Sequence, residues 1–263
     1  MQVVLTENEE ALCQLLNDAT LWLRNQLREA GREDAEQLEL RIAGGWVRDK
    51  LLGLESHDLD IAINTMTGFE FAQHLAEYQR SIGLKARHIA KIASNPERSK
   101  HLETATTMVL GFALDFVHLR REEYQTDSRI PNHVSFGTPT EDAYRRDITI
   151  NTLFYNINTR SVEDFTGQGL KDLAKGIVRT PLAPYETFHD DPLRVLRCIR
   201  FASRFGFSIE DNVLETMRDS RIKAALQNKI SRERVGVEVN KMLTGTQVHT
   251  AMACWPHLTE TTP

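Results

Sequence analysis

The chain has 263 residues, 41% hydrophobic and 26% charged, with a formal net charge of −5. This balance is that of an ordinary soluble protein and argues against a disordered chain, and no apolar run approaches the roughly 18 residues of a membrane span. The acidic start MQVVLTENEE lacks a signal-peptide pattern, and Cys13, Cys198 and Cys254 show no spacing of a disulfide framework or zinc site, so an intracellular protein with reduced thiols is expected.

Residues 6–27 predict an amphipathic helix: Thr6 and Glu9 fit a capping box, and Leu12, Leu15, Leu16, Ala19, Leu23 and Leu27 recur at helical spacing. A short strand is expected at 38–43, a helix at 46–52 after Gly44 and Gly45, a strand at 57–63 and a helix at 67–79. Strands follow at 86–92, 104–110 and 112–119, then a long polar loop over 121–142, of a kind that often carries function. Strand character returns at 148–157 and 161–165. From 170 onward the pattern is helical, clearest at 191–205, 211–218 and 232–243. The fold class expected is therefore α+β: a strand-and-helix part over 1–165, a helical part over 166–245, and a tail over 246–263 without helical periodicity. Residues 1–143 carry 15 Lys and Arg against 23 Asp and Glu, a net −8, whereas the remainder carries 17 against 14, a net +3. An acidic portion followed by one that meets an anion fits that asymmetry.

The densest chemistry lies in RIAGGWVRDKLLGLESHDLDIAI, residues 41–63. Residues two apart in a strand share a face, so Asp58 and Asp60 stand side by side while Leu59 points inward. Two like charges that close favour a neutralising hard cation, for which Mg²⁺ is the natural candidate, and such a cradle can hold two ions roughly 3.5 to 4 Å apart across a phosphoryl displacement. Gly44 and Gly45 allow close backbone approach to a ligand, and Arg48 adds a charged fork one turn later. Taken apart, the glycines also read as a tight turn, Arg48 as the partner of Asp49, and the aspartates as an exposed strand edge. Asp115 in LDFVHLR is the candidate third carboxylate.

These segments, with RRDITINTLFYN at 145–156, EDFTGQGLKDL at 163–173, DDPLRVLRCIRFASRFGF at 190–207 and SRERVGVEVNKML at 231–243, resemble the class II tRNA nucleotidyltransferases, or CCA-adding enzymes, and the related bacterial poly(A) polymerases. The resemblance runs from about residue 42 to 245 with the motifs in the family's order. It implies a polymerase β-like nucleotidyltransferase head followed by an all-helical neck. It also implies that Asp58, Asp60 and Asp115 bind catalytic Mg²⁺, that Gly44, Gly45 and Arg48 lie against the triphosphate, and that Arg145, Arg146 and Asn151 contact the triphosphate or organise its pocket. Asp147 would accept the ribose 2′-hydroxyl. Asp191 and Arg194 would read the base. Read from the helix itself, Arg197, Phe201 and Arg204 continue the same face at steps of three or four beside that reader, so Arg197 is expected to help hold it or the primer end.

Physical chemistry supports the base-reading pair, because cytosine and adenine each present an amine donor beside a ring-nitrogen acceptor, matching a carboxylate and a guanidinium. Uracil and guanine present the opposite polarity. Read without the family, Asp191 before Pro192 is a helix N-cap, and the RRD run is a surface ion-pair cluster. The implied partners are CTP, ATP and the tRNA 3′ end, with no membrane, as a monomer or dimer in the cytoplasm or nucleus, or in a mitochondrial form. The implied activity is template-independent CCA addition; a poly(A) polymerase, an enzyme adding part of CCA, or a nucleotide- or RNA-binding remnant without turnover are the alternatives. The chain stops where such enzymes continue with further helices, and its tail does not resemble that continuation.

Overall fold

The computed structural model describes residues 2–92, 104–124, 130–245 and 247–254. In chain order the elements are α1 (Glu7–Glu29), β1 (Leu40–Ala43), α2 (Gly45–Leu51), β2 (Leu59–Ile63), α3 (Gly68–Ser81), β3 (Ala90–Ile92), β4 (Thr104–Val109), β5 (Phe112–His118), β6 (Arg120–Glu123), β7 (His133–Phe136) and α4 (Pro139–Tyr144). There follow β8 (Phe154–Asn156), β9 (Ser161–Glu163), α5 (Gly169–Lys175), β10 (Ile177–Val178), α6 (Pro184–Asp190), α7 (Leu193–Phe205), β11 (Ser208–Ile209), α8 (Asp211–Met217), α9 (Ser220–Lys229), α10 (Arg232–Leu243) and α11 (Val248–Cys254). The chain divides into two compact units. One comprises Met1–Arg121, Ser135–Asp142 and Leu153–Phe165, the other Glu122–Val134, Ala143–Thr152 and Thr166–Pro263.

The first unit is built on a seven-stranded mixed sheet in the order β3-β4-β5-β2-β1-β8-β9. Only β2 and β5 pair in parallel, and the other neighbours are antiparallel. Its helices cover the sheet because their apolar stripes demand it: α1 buries Leu12, Leu16 and Leu23, and α3 buries Phe71, Ala72 and Leu75. The capping box forms as expected, the Thr6 hydroxyl accepting from the Glu9 amide at 3.3 Å while the Glu9 carboxylate accepts from the Thr6 amide at 2.7 Å. The Lys50 ammonium also meets Glu9, at 2.7 Å, fastening α2 to α1. Close packing of α3 on β5 depends on Gly68, where a Cβ would fall 2.0 Å from the Phe116 carbonyl oxygen. Phe71 and Phe116 then meet with ring centroids 5.4 Å apart.

In the second unit α7 is the axis. It buries Leu193, Val195, Leu196, Ile199 and Ala202, and α10 is pinned to it by the buried Arg200–Glu238 pair at 2.5 Å. Among the described residues the unit is mostly helical, with the short parallel pair β10–β11 and parts of β6 and β7 beside the helices. Cys198 on α7 and Cys13 on α1 are free and buried. Burial pushes the Cys13 thiol up to about 12, which makes it a poor nucleophile.

Three expectations need correction. The polar loop at 121–142 contains β7 and most of β6 and α4, the two strands forming a ribbon of their own; 125–129 lie outside the described residues. Residues 148–157 are not one strand: Thr149–Asn151 form a 3₁₀ turn, with the strand confined to Phe154–Asn156. The tail is not devoid of helix, since Val248–Cys254 forms α11, with Ala251 buried at its contact with α7. Residues 93–103, 246 and 255–263, which include the end of that tail, lie outside the described residues.

Candidate functional site

In the first unit the strand period places the carboxylates as expected. Leu59 is 2% exposed and Ile61 fully buried, so Asp60 between them faces outward, and Asp58 just before the strand is exposed as well. The parallel register sets Asp60 directly opposite Asp115, whose neighbours Leu114 and Phe116 are fully buried. Two strand carboxylates in register, with a third one pleat upstream, supply hard oxygen donors of the kind Mg²⁺ takes. Thr106 on β4 donates its hydroxyl to Asp115 and fixes that side chain. Among the described residues no three His, Cys, Asp or Glu side chains stand gathered as a preformed metal cluster. The donor types fit the ion; their convergence is not built in.

The glycine lead-in is a backbone device. Gly44 adopts φ 66°, ψ −114°, a conformation for which glycine alone is suited, and its amide donates to the Leu153 carbonyl at 2.9 Å, joining the turn before α2 to the start of β8. Arg48 behaves as the simpler of its two readings foresaw. It is 3% exposed, and its guanidinium pairs with Asp49 at 2.7 Å.

The second unit gathers the arginines. Asp147 is 6% exposed, and its carboxylate has four protein donors: the Ile148 amide at 2.9 Å and the Asn151 amide nitrogen at 3.0 Å on one oxygen, Arg197 Nε and Nη2 at 2.7 Å on the other. Burial alone would push this carboxyl up, but Arg197 and Asn151 outweigh it and hold it well below the usual carboxylate range. A carboxylate offers about four acceptor positions, so a ribose hydroxyl reaches Asp147 only by displacing one of these donors. Arg146 donates to the Asn151 carbonyl at 3.2 Å, closing the same turn.

Asp191 lies at the break between α6 and α7, with φ −135° and ψ 99°. One of its oxygens accepts from the Leu193 amide at 3.1 Å and the other from Arg234 at 3.3 Å; the N-cap of α7 is Pro192, one residue later than the cap expected at Asp191, which ends α6 instead. Arg194, 7% exposed, is held by two backbone carbonyls, Thr187 at 3.2 Å and Arg145 at 2.7 Å. The carboxylate and the guanidinium of this pair are therefore each anchored by different protein groups. Arg197 and Arg204 are at least partly exposed, but Phe201, expected on the same face, is buried, with the Arg200 and Arg197 guanidiniums 4.1 and 5.5 Å from its ring centre.

Sequence reasoning missed the support beneath the 3₁₀ turn. The Thr149 hydroxyl donates to buried Asp172 at 2.7 Å, Arg179 bonds the same carboxylate at 3.1 Å, and the Thr149 amide meets the Arg179 carbonyl at 2.8 Å. The signal in the sequence was Asp172 in GLKDL, residues 169–173.

Residues 40–179, just over half of the chain, match the poly(A) polymerase head domain. Among the relatives, the mitochondrial CCA tRNA nucleotidyltransferase of Candida glabrata is 57% identical over 248 residues, which cover 93% of this chain and 46% of that protein. A solved apo structure of a CCA-adding enzyme aligns with a TM-score of 0.75 at 25% identity, covering 98% of this chain and 57% of the other. A tRNA nucleotidyltransferase solved with a primer tRNA and an incoming ATP analog aligns at 0.66 and 26% identity, covering 90% and 62%. The chain belongs to the class II tRNA nucleotidyltransferase and poly(A) polymerase family. It spans about half the length of the curated relatives it matches.

Proposed function

We propose that this chain carries the nucleotidyl-transfer and base-reading parts of an enzyme that adds C, C and A to tRNA 3′ ends from CTP and ATP without a template. The observation that carries the reading is the Asp191–Arg194 pair, fixed on either side of Pro192 by separate protein partners. A fixed acceptor beside a fixed donor matches cytosine and adenine and opposes uracil and guanine. Each terminal nitrogen of Arg194 carries a second hydrogen, so the carbonyls that orient it do not exhaust it.

In this reading the primer 3′-oxygen forms a bond to the α-phosphorus, the bond to the β-phosphate oxygen breaks, and pyrophosphate leaves. Asp58, Asp60 and Asp115 would hold Mg²⁺, which supplies charge neutralisation at the reacting phosphate and a more acidic primer hydroxyl. Arg145 and Arg146 bind the triphosphate, with Asn151 keeping Arg146 and Asp147 in place; Gly44 and Gly45 leave room for the phosphates. Asp147 acts by fixing Arg197 and Asn151. Arg48, already paired with Asp49, shapes the turn from within the first unit.

No helix among the described residues is long and apolar enough to cross a membrane. The compartment follows the substrate: wherever tRNA matures, with the mitochondrion favoured by the name of the Candida relative.

The test supplies the purified chain with Mg²⁺, labelled CTP and ATP, and a tRNA ending just before CCA. The expected product gains C, C and A and then stops. A homopolymeric A tail would assign the chain to the poly(A) branch, addition of fewer residues to a partial CCA enzyme, and no extension with retained nucleotide binding to a binding remnant.

A further inference from the structure

Beside the base-reading pair lie two residues, Glu122 and Tyr124, to which the motifs assign nothing. Glu122 stands in the middle of the run RREEY, residues 120–124, and its side chain is only 4% exposed. One carboxylate oxygen accepts the Tyr124 hydroxyl at 2.7 Å; the other faces Arg145 Nη1 at 3.4 Å. The Arg145 carbonyl in turn receives Arg194 at 2.7 Å. All of these residues belong to the second unit. Burial and the neighbouring Glu122 push the Tyr124 phenol up, so it stays a hydroxyl donor at any ordinary pH, and both Arg194 and Asp191 lie close enough to act on it electrostatically. Glu122 acts likewise on Asp190, whose carboxyl is raised first by burial. A carboxylate withdrawn from water this far is retained only where it is hydrogen-bonded and paired, and here both of its oxygens point to partners around the reader.

We propose that Glu122 is a positioning residue of the base-reading pair: it takes the Tyr124 hydroxyl on one oxygen and the Arg145 guanidinium on the other, and so fixes the residue whose carbonyl orients Arg194. Glu122 does not touch the base. It acts through Arg145, and its loss lets the Arg194 fork rotate, so that the ring-nitrogen acceptor of cytosine no longer outcompetes the N–H of uracil. The inference rests on the base-reading role proposed above.

The experiment measures affinities of CTP and UTP by competition in the wild-type chain, Glu122→Gln and Tyr124→Phe, with melting temperatures recorded alongside. The wild type is expected to prefer CTP. Glu122→Gln should cut the CTP-over-UTP ratio by about tenfold, the worth of one hydrogen bond to a charged group, and Tyr124→Phe by about threefold. Tyr124→Phe removes only a hydroxyl, so it reports even if the Glu122 variant folds poorly. A lowered melting temperature with an unchanged ratio in both variants would make Glu122 a purely structural brace and overturn the inference. Absence of any CTP preference in the wild type would overturn the base-reading role, and this inference with it.

Discussion

Asp60→Asn is expected to lower nucleotide addition by about 10³-fold, or ~4 kcal/mol of transition-state stabilisation, with the melting temperature held within about 2 °C. The contrast follows from where Asp60 sits. Its neighbours Leu59 and Ile61 supply the packing of β2, while Asp60 faces outward across from Asp115. An amide keeps the size and the strand geometry but removes one of the charges that would hold the cation. Single-turnover extension of the shortened tRNA gives the rate, and thermal unfolding gives the control. Turnover within threefold of the wild type would remove the carboxylate register from the mechanism.

Asp147→Asn should instead act on stability, costing about 3 kcal/mol at pH 7. The carboxylate is buried with four donors upon it, so an amide leaves the Arg197 charge without its counter-ion and turns one donor-facing atom into a donor. The figure lies at the low end for a broken buried pair because the Arg197 side chain is 35% exposed. Its pH dependence has a fixed sign. The folded-state carboxyl lies below its unfolded value of about 3.9, so its contribution is complete well above that value and is lost as acid protonates it in the folded state. Denaturant unfolding of wild type and variant should show a constant gap above about pH 5 that narrows below about pH 4. Equal stability at pH 7 would show that the four donors do not depend on the charge.

Much of this arrangement was legible because its signals are local. Thr6 and Glu9 announce a helix start within four residues, and the two-residue period of a strand is enough to put Asp58 and Asp60 outside and Leu59 inside. The pairing of Asp60 with Asp115 was only half legible: each strand shows its own alternation, but which strands become parallel neighbours depends on the sheet order. Residues 148–157 misled because Ile148, Ile150 and Leu153 look like strand positions. They form a turn because the Thr149 hydroxyl and amide are claimed by Asp172 and Arg179, more than twenty residues later in the chain.

The same reasoning accounts for the short elements. RREE and HVSF are too brief and polar to announce strands, yet they pair with each other. The helix α11 escapes a periodicity test because VHTAMAC holds little apolar stripe, and its contact with α7 decides its conformation. Saturation of Asp147 was invisible for another reason. Its motif neighbour Asn151 can be guessed as a partner, but Arg197 lies fifty residues away on α7, and only the fold shows that the carboxylate is already occupied. Arg48 and Asp49, adjacent in the chain, were legible as a pair and are found as one.

The measurement that bears most directly on the account is the effect of Mg²⁺ on CTP affinity, read in the wild-type chain and in the double variant Asp58→Asn with Asp60→Asn. If the outward carboxylates of β2 and the residue before it seat the cation against the triphosphate, Mg²⁺ should tighten CTP binding by at least about tenfold over a chelator-treated sample, and the double variant should lose that gain. Equal affinity with and without Mg²⁺ in the wild type, or an undiminished gain in the double variant, would contradict it.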